Sequence, residues 1–505
     1  MKGNPAELPE ALTLYEFVYE DEATRRVNAL FKPTPFVPIE SAWAVMLARQ
    51  GVLDEKHIPT IMRRALELWE SDDPPFGGFG CLEKYVIQKD GVEVGGSLTI
   101  GRTIPPLRQL APARQQLLKL LPMLYELQQV MLDTAEQYAD AVMPGYTHVR
   151  QAQPETFGHY LLSVYDPMDR IMRQIETGYR LLSLNELGCG ALAGTSVPID
   201  RDMTTELLGL EGLVENSNDA VAFTDGYVTL VAALANLMSV WSRFTLDVQY
   251  WSGEEYGFLH VPWLSAKHAP QSEGGKGKSH SHFMPNKLEN SPYIERTRVG
   301  AAELQGHLTE IVAMSCRAPH GDTHEMLHMI DASARAMRST FLYLHVWIHA
   351  LPRLTLDRQR MLDAVRNGYS CASELSNQIM MTQNLNGRTA HEITNEFIAR
   401  CRQQNINAPD VPLSLLQDSA REVIGRELDF SEKQLRDALD PEKFIETTNS
   451  RGGTSPSECR RMIAQRREQL DEAEQSYQKT LDKLETARQR LFDAVKSLAE
   501  ASASV

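Results

Sequence analysis

Between Lys278 and Glu295 the chain reads KSHSHFMPNKLENSPYIE, crowding serines, two histidines, two lysines and a Met-Pro turn into one polar loop. The loop feeds an apolar helical pattern beginning near Tyr293. A helix start offers free backbone N–H groups and a positive dipole end to an anion. Gly274, Gly275 and Gly277 just upstream give the backbone freedom to open and close. Composition alone favours a mobile surface loop. A second constellation, Tyr146-Thr147-His148, lies in MPGYTHVRQAQPETFG between two helical stretches. There Pro144-Gly145 predicts a turn and Thr156 a helix N-cap. Such a histidine either carries protons or is a satisfied structural residue. A third segment, GGSLTIGRTIPP, places Arg102 ahead of the first long helix. A fourth, His324-Glu325-Met326-Leu327-His328, matches HExxH, which on a helix sets two imidazoles and a glutamate on one face as in zinc hydrolases. That pattern also arises by chance, and neither a third ligand nor an edge strand accompanies it. GKGKS is not a phosphate loop: position 272 is serine and no strand precedes it.

The elements that must position these groups are helical. From about Leu110 to Leu354, apolar residues recur at three- and four-residue spacing over Ala113–Ala141, Thr156–Glu186, Asp219–Trp251, Tyr293–Ser315 and His328–Leu351. Helices of that length with wide apolar faces bury themselves in a bundle. Tyr227–Trp241 is apolar on several faces, which predicts cover from further copies of the chain. Residues 1–108 are mixed, with short helices at Ser41–Arg49 and His57–Glu70 among Pro- and Gly-rich breaks. Residues 356–460 form a smaller helical region. In 461–505, Ile463, Leu470, Tyr477, Leu484, Leu491 and Leu498 recur every seventh residue: a coiled coil, a strut lying on the bundle, or a packed terminal helix.

A chain of 505 residues divides into roughly two to four domains. With 42% hydrophobic and 23% charged residues it is ordinary for a globular protein. Its net charge of −16 argues against a nucleic-acid or membrane-surface binder, while leaving room for a local basic pocket. No basic-then-apolar leader precedes the first helix, and no uninterrupted apolar stretch of membrane-spanning length is expected. Cys81, Cys189, Cys316, Cys371, Cys401 and Cys459 show no paired spacing and read as reduced thiols of a cytoplasmic protein.

Over nearly its full length the chain resembles argininosuccinate lyase, within the fumarase/aspartase superfamily. The resemblance rests on GGSLTIGR, MPGYTHVRQAQPETFGHYLL, LGCGALAGTSVPIDRDMTTELLG, NSNDAV, EEYGFL, MPNK, AHEIT and LDPEKFIETTNSRGGTSPSECRRMI. It implies a mainly α, three-domain subunit (1–108, 109–355 and 356–460, with 461–505 as a helical extension) whose central five-helix bundle builds a homotetramer. It further implies active sites shared between subunits, no cofactor and no metal, and a small anionic amino-acid-type substrate. The reaction that the resemblance implies is a reversible elimination that breaks a C–N bond and releases fumarate.

Carried over residue by residue, the resemblance makes Ser281 the base. Its hydroxyl, a poor base at neutral pH, needs an oxyanion stabilised by loop N–H groups and cations. Lys287 would hold the carboxylate that takes up charge. His148, paired with Glu295, would relay a proton to the departing nitrogen, with Thr147 beside it. Substrate contacts fall on Arg102, Thr103, Gln153, His282, Met284, Asn290 and His324. The chain departs from the family where a glycine and a serine of the loop become His280 and His282. It departs again where GRSRND becomes GRTIPP, placing Ile104 and Pro105 at substrate-gripping positions, and around Pro319–Leu327. Losing those charged contacts costs on the order of several kcal/mol unless Arg102, Arg108, Arg150 or Lys276 replaces them. The expectation is therefore a divergent lyase acting on a different N-substituted amino acid. The alternatives are an inactive crystallin-like helical scaffold and an HExxH zinc hydrolase.

Overall fold

The computed structural model describes residues 36–71, 79–103, 105–261, 284, 292–317, 319–321 and 324–501. Three helices come first: α1 (Val37–Arg49), α2 (Ile58–Glu70) and α3 (Cys81–Asp90). A proline in the first turn of α1 and of α2 helps set their starts, because its missing N–H is not needed there. Their apolar faces gather Trp43, Val45, Leu47, Ile61, Met62, Leu82 and Val86 into one buried cluster.

The bundle is built from α4 (Pro105–Gln137), α5 (Phe157–Leu181), α6 (Asp225–Ser252), α7 (Pro292–Ser315) and α8 (His324–Ala350). The expected helix Asp219–Trp251 is two pieces. Asn216 caps a short helix, Ser217–Ala222, and the non-helical Thr224 then starts α6. α6 is the axis, packing against α5, α7 and α8. Tyr227, Leu230, Leu234, Leu237, Met238, Trp241 and Phe244 are all buried, so its apolar composition serves the core. By length and hydropathy alone α6 could cross a membrane, but polar residues interrupt it and 56% of its most apolar window is buried, as in a core helix. Trp241, Phe244 and Trp347 pack ring on ring at 5.3–5.6 Å, with Tyr293 at 5.2 Å from Trp347. Each such ring contributes about 1.5–3 kcal/mol by burial. Gly300 of α7 admits α8: a Cβ there would lie 2.3 Å from the Tyr343 ring.

A third cluster, within residues 371–445, packs short helices around Leu375, Ile379, Ile393, Phe397, Leu416 and Leu435. The sheets are small: β1 (Val142–Thr147) pairs antiparallel with β2 (Arg150–Thr156), and two further two-residue pairs join Leu184–Asn185 to Gly212–Leu213 and Leu259–His260 to Thr355–Leu356. The last helix, α9 (Pro456–Glu500), rises about 68 Å over its 45 residues. Ser455 caps it and Pro456 opens it. Its heptad seam is a strut: Ile463 and Leu470 enter the bundle core, whereas Leu491 and Val495 enter the α1–α3 cluster.

Candidate active site

The His148 segment is a β-hairpin. The turn does not fall at Pro144-Gly145, which lie within β1 beside an irregularity between Pro144 and Tyr146. It falls at His148-Val149, because Thr147 pairs with Arg150 and leaves two residues to reverse the chain. A two-residue hairpin turn of type I′ needs positive φ at both positions, and His148 (54°) and Val149 (57°) supply it. For a β-branched valine that backbone is strained. Thr147 and His148 are exposed at the tip. The stem is fixed from below. Thr156 caps α5, its Oγ1 accepting from His159 N at 3.2 Å, and its own N–H donates to Thr454 Oγ1 at 3.0 Å. Ser370 Oγ donates to Gln151 Oε1 at 3.2 Å, and Gln153 Nε2 donates to Ser373 Oγ at 3.3 Å.

Glu295 stands at the same end of the bundle. It sits exposed in the first turn of α7, where Gln249 Nε2, near the end of α6, donates to its Oε1 at 3.3 Å. Just past α6, the Tyr256 ring lies 5.9 Å from Tyr146 of the hairpin. Trp347 Nε1 donates to Thr297 Oγ1 (2.9 Å), and that hydroxyl donates to Tyr293 O (2.8 Å), pinning the turn that carries Glu295. Two groups here escaped the sequence reading. Tyr160 OH donates to Asp247 Oδ2 at 2.7 Å, and burial raises the Asp247 carboxyl above its usual range. His159 contacts Glu155 (3.4 Å) and Gly452 O (3.1 Å), and the carboxylate raises its imidazole above the ordinary value. Asp247 lies 87 residues from Tyr160 and Gly452 lies 293 from His159, so spacing gives no signal for those contacts; Glu155, four residues before His159, was the readable partner.

Arg102 and Thr103 lie elsewhere. They precede α4, and the hairpin follows it; 33 helical residues separate them by about 50 Å. Arg102 Nη2 forms a buried ion pair with Glu40 Oε2 at 2.6 Å, its guanidinium 5.5 Å from the Trp43 ring and 5.1 Å from Phe79. Its Nε and Nη1 are buried without a hydrogen-bond partner. The loop after α5 joins this end: a Cβ on Gly101 would touch Thr195 Cγ2 at 3.4 Å. Arg201 ties that loop down by donating to four carbonyls, those of Asn185, Leu187, Val214 and Glu215. Ser217 Oγ donates to Leu192 O (2.9 Å), and a Cβ on Gly321 would lie 3.1 Å from Asn218 Oδ1. That Asn218 oxygen is buried and takes no hydrogen bond. NSND marked the segment in the sequence without singling out Asn218.

Ser281, His282, Lys287 and Asn290, with Ile104, Lys276 and Asp322, lie outside the described residues; Met284 is described and exposed. His324 is the first residue of α8. Among the described residues no group of three metal-ligating side chains forms.

The profile of a family described as "Lyase" matches residues 109–287. Argininosuccinate lyase 1 of Shouchella clausii (strain KSM-K16) is 25% identical over 93% of this chain and 96% of its own. Argininosuccinate lyase of Bacillus cereus (strain AH820) is 29% identical over 82% and 87%. Among solved structures, EDDS lyase in complex with formate superposes with a TM-score of 0.83 at 25% identity, covering 99% of this chain and 98% of that one. An EDDS lyase variant with bound fumarate gives 0.82. The chain is an argininosuccinate lyase-like member of the fumarase/aspartase superfamily. This lyase therefore belongs with the enzymes that cleave carbon–nitrogen bonds. The fold is shared more widely: class II fumarase of Schistosoma mansoni matches with a TM-score of 0.65 at 13% identity.

Proposed function

We propose that this lyase eliminates an amine from an N-substituted, aspartate-type amino acid and releases fumarate, in sites assembled from several subunits of a homotetramer. Ser281 removes the proton from the carbon next to a carboxylate. Lys287 holds that carboxylate as it takes up charge. His148, oriented by Glu295 and flanked by Thr147, delivers a proton to the nitrogen as the C–N bond breaks. Thr103, Gln153, His282, Met284, Asn290 and His324 contact the substrate. Arg102 acts from behind this layer, through its pair with Glu40.

The observation that carries the reading is the placement of candidate groups at opposite ends of a helix about 50 Å long. His148 and Glu295 stand at one end; Thr103, Asn218 and the start of α8 stand at the other. No single copy can bring them onto one small substrate, so an antiparallel neighbour must. The departures at Ile104 and Pro105, together with the likeness to an EDDS lyase, favour an amine other than that of argininosuccinate.

The test follows fumarate by its ultraviolet absorbance while the full chain is offered argininosuccinate, EDDS and other N-succinyl amines, and fumarate with amines in reverse. Turnover with one adduct, abolished by Ser281→Ala, is the expected result. A folded tetramer inert towards all of them overturns the reading. Shared sites are tested by mixing: His148→Ala and Asn218→Ala are each inactive alone and regain turnover when dissociated and reassembled together. Mixed tetramers that stay inactive overturn that part.

A further inference from the structure

Under the strut α9, about 35 Å along α4 from the hairpin end, lies a cavity of about 170 Å³. Leu118, Leu208, Leu484 and Leu491 give it an apolar wall. Two arginines line it as well. Arg488 is exposed at the rim, where its Nη1 stands 3.9 Å from Glu485. Arg114 projects from α4 beneath the strut, and its Nε and Nη1 are sealed from solvent without a hydrogen bond. The neighbouring Gln115 Oε1 is buried and unpartnered too.

Each guanidinium N–H closed off from water without an acceptor costs its desolvation free energy, and buried donors left open in this way ask for a ligand. Glu211, the carboxylate that acts on Arg114 through space, makes its own ion pair with Lys483 at 3.1 Å. The adjoining polar cavity, which shares Leu118, sets Glu176 and Glu211 beside Arg180, whereas the lining of this one holds two arginines and no carboxylate, so an anion is directed here. A single water occupies roughly 10–15 Å³ on this measure, so the space holds on the order of ten heavy atoms.

We propose that the cavity between α4 and α9 is a binding site for a small carboxylate with an apolar body, its carboxylate on Arg114 and its body against the leucines. The site is remote from His148 and does not depend on the proposed reaction. Because α9 joins the bundle core to the α1–α3 cluster, an occupant stiffens the joint between them.

The experiment is calorimetric titration of the full chain with hexanoate and with benzoate, alongside thermal melting. At least one acid should bind saturably, one per chain, and raise the melting temperature, with hexan-1-ol and acetate each at least tenfold weaker. Arg114→Met should weaken that binding at least tenfold. Leu484→Trp, which fills the cavity and leaves the charge in place, should abolish it, and it carries the test should Arg114→Met fail to fold. Absence of saturable binding by both acids overturns the proposal, as does undiminished binding by Arg114→Met or by Leu484→Trp. Equal affinity for hexanoate and acetate overturns its apolar half.

Discussion

At the hairpin end of the bundle, Thr147 and His148 stand exposed on a strained turn, and Glu295, exposed in the first turn of α7, accepts from Gln249 at 3.3 Å. At the opposite end Arg102 is buried against Glu40 and two aromatic rings, and Arg201 is consumed by four carbonyls. Both ends are rich in polar side chains within the segments that resemble a lyase, but those of the hairpin stand at the surface and those around Arg102 are buried. The difference teaches that a shared motif does not mean a shared role. On the proposed reading GYTH presents groups to a neighbouring subunit, whereas the arginines of GR and PIDR are taken up by Glu40 and by four loop carbonyls.

The sharpest way to break this comparison is His148→Asn. Asparagine tolerates the left-handed backbone of the turn, so the fold should melt unchanged while kcat falls about 10²–10⁴-fold, the range for losing a general acid. Full activity would remove the hairpin from the chemistry. Next comes the buried pair. Arg102→Met strands the Glu40 charge and should cost about 3–5 kcal/mol in urea unfolding, whereas Arg102→Met with Glu40→Leu should recover most of it. An Arg102→Met protein of normal stability and raised KM would instead return Arg102 to direct substrate binding. Smaller still, Val149→Gly relieves a β-branched residue at positive φ and should stabilise the protein by about 1 kcal/mol. A loss would mean that the valine packs against something beyond the subunit.

Much of this architecture is readable from periodicity. The five long helices and α9 follow from apolar spacing, because each must bury a continuous face. The break at Phe223–Thr224 was not readable, since no proline or glycine marks it; Asn216 as a cap was the available clue. The hairpin was missed because Pro144-Gly145 is the stronger local turn signal, and strand pairing between Val142 and Thr156 overrides it. Among the candidate site groups, residue types pointed to His148 and the family resemblance to Glu295, and the two stand at the same end of the bundle. The burial of Arg102 was invisible: its partner Glu40 lies 62 residues away, within an apolar helix that gave no hint of a charge pair.

The smallest effect concerns the stretch that keeps the two ends apart. Midway along α7, Glu303 faces α8, and its carboxylate is gripped by three groups. His307 Nε2 lies 3.6 Å from Oε1, Tyr343 OH donates to Oε2 at 2.8 Å, and Ser339 Oγ donates to Oε1 at 2.8 Å. The adjoining His307, with these hydroxyls, outweighs partial burial and holds the carboxyl at about 2, below its ordinary 4.5. The unfolded chain therefore takes up a proton at higher pH than the folded one. The stabilisation is complete above pH 4.5 and is lost as the pH falls towards 2. Glu303→Gln should lower the melting temperature at pH 6 by a few degrees and narrow its gap from the parent as the pH drops below 4.5. Screening of the half-exposed carboxylate keeps the effect modest. A gap that stays constant across that window would mean the α7–α8 spacing is set by Gly300 against Tyr343 alone, with the glutamate a bystander.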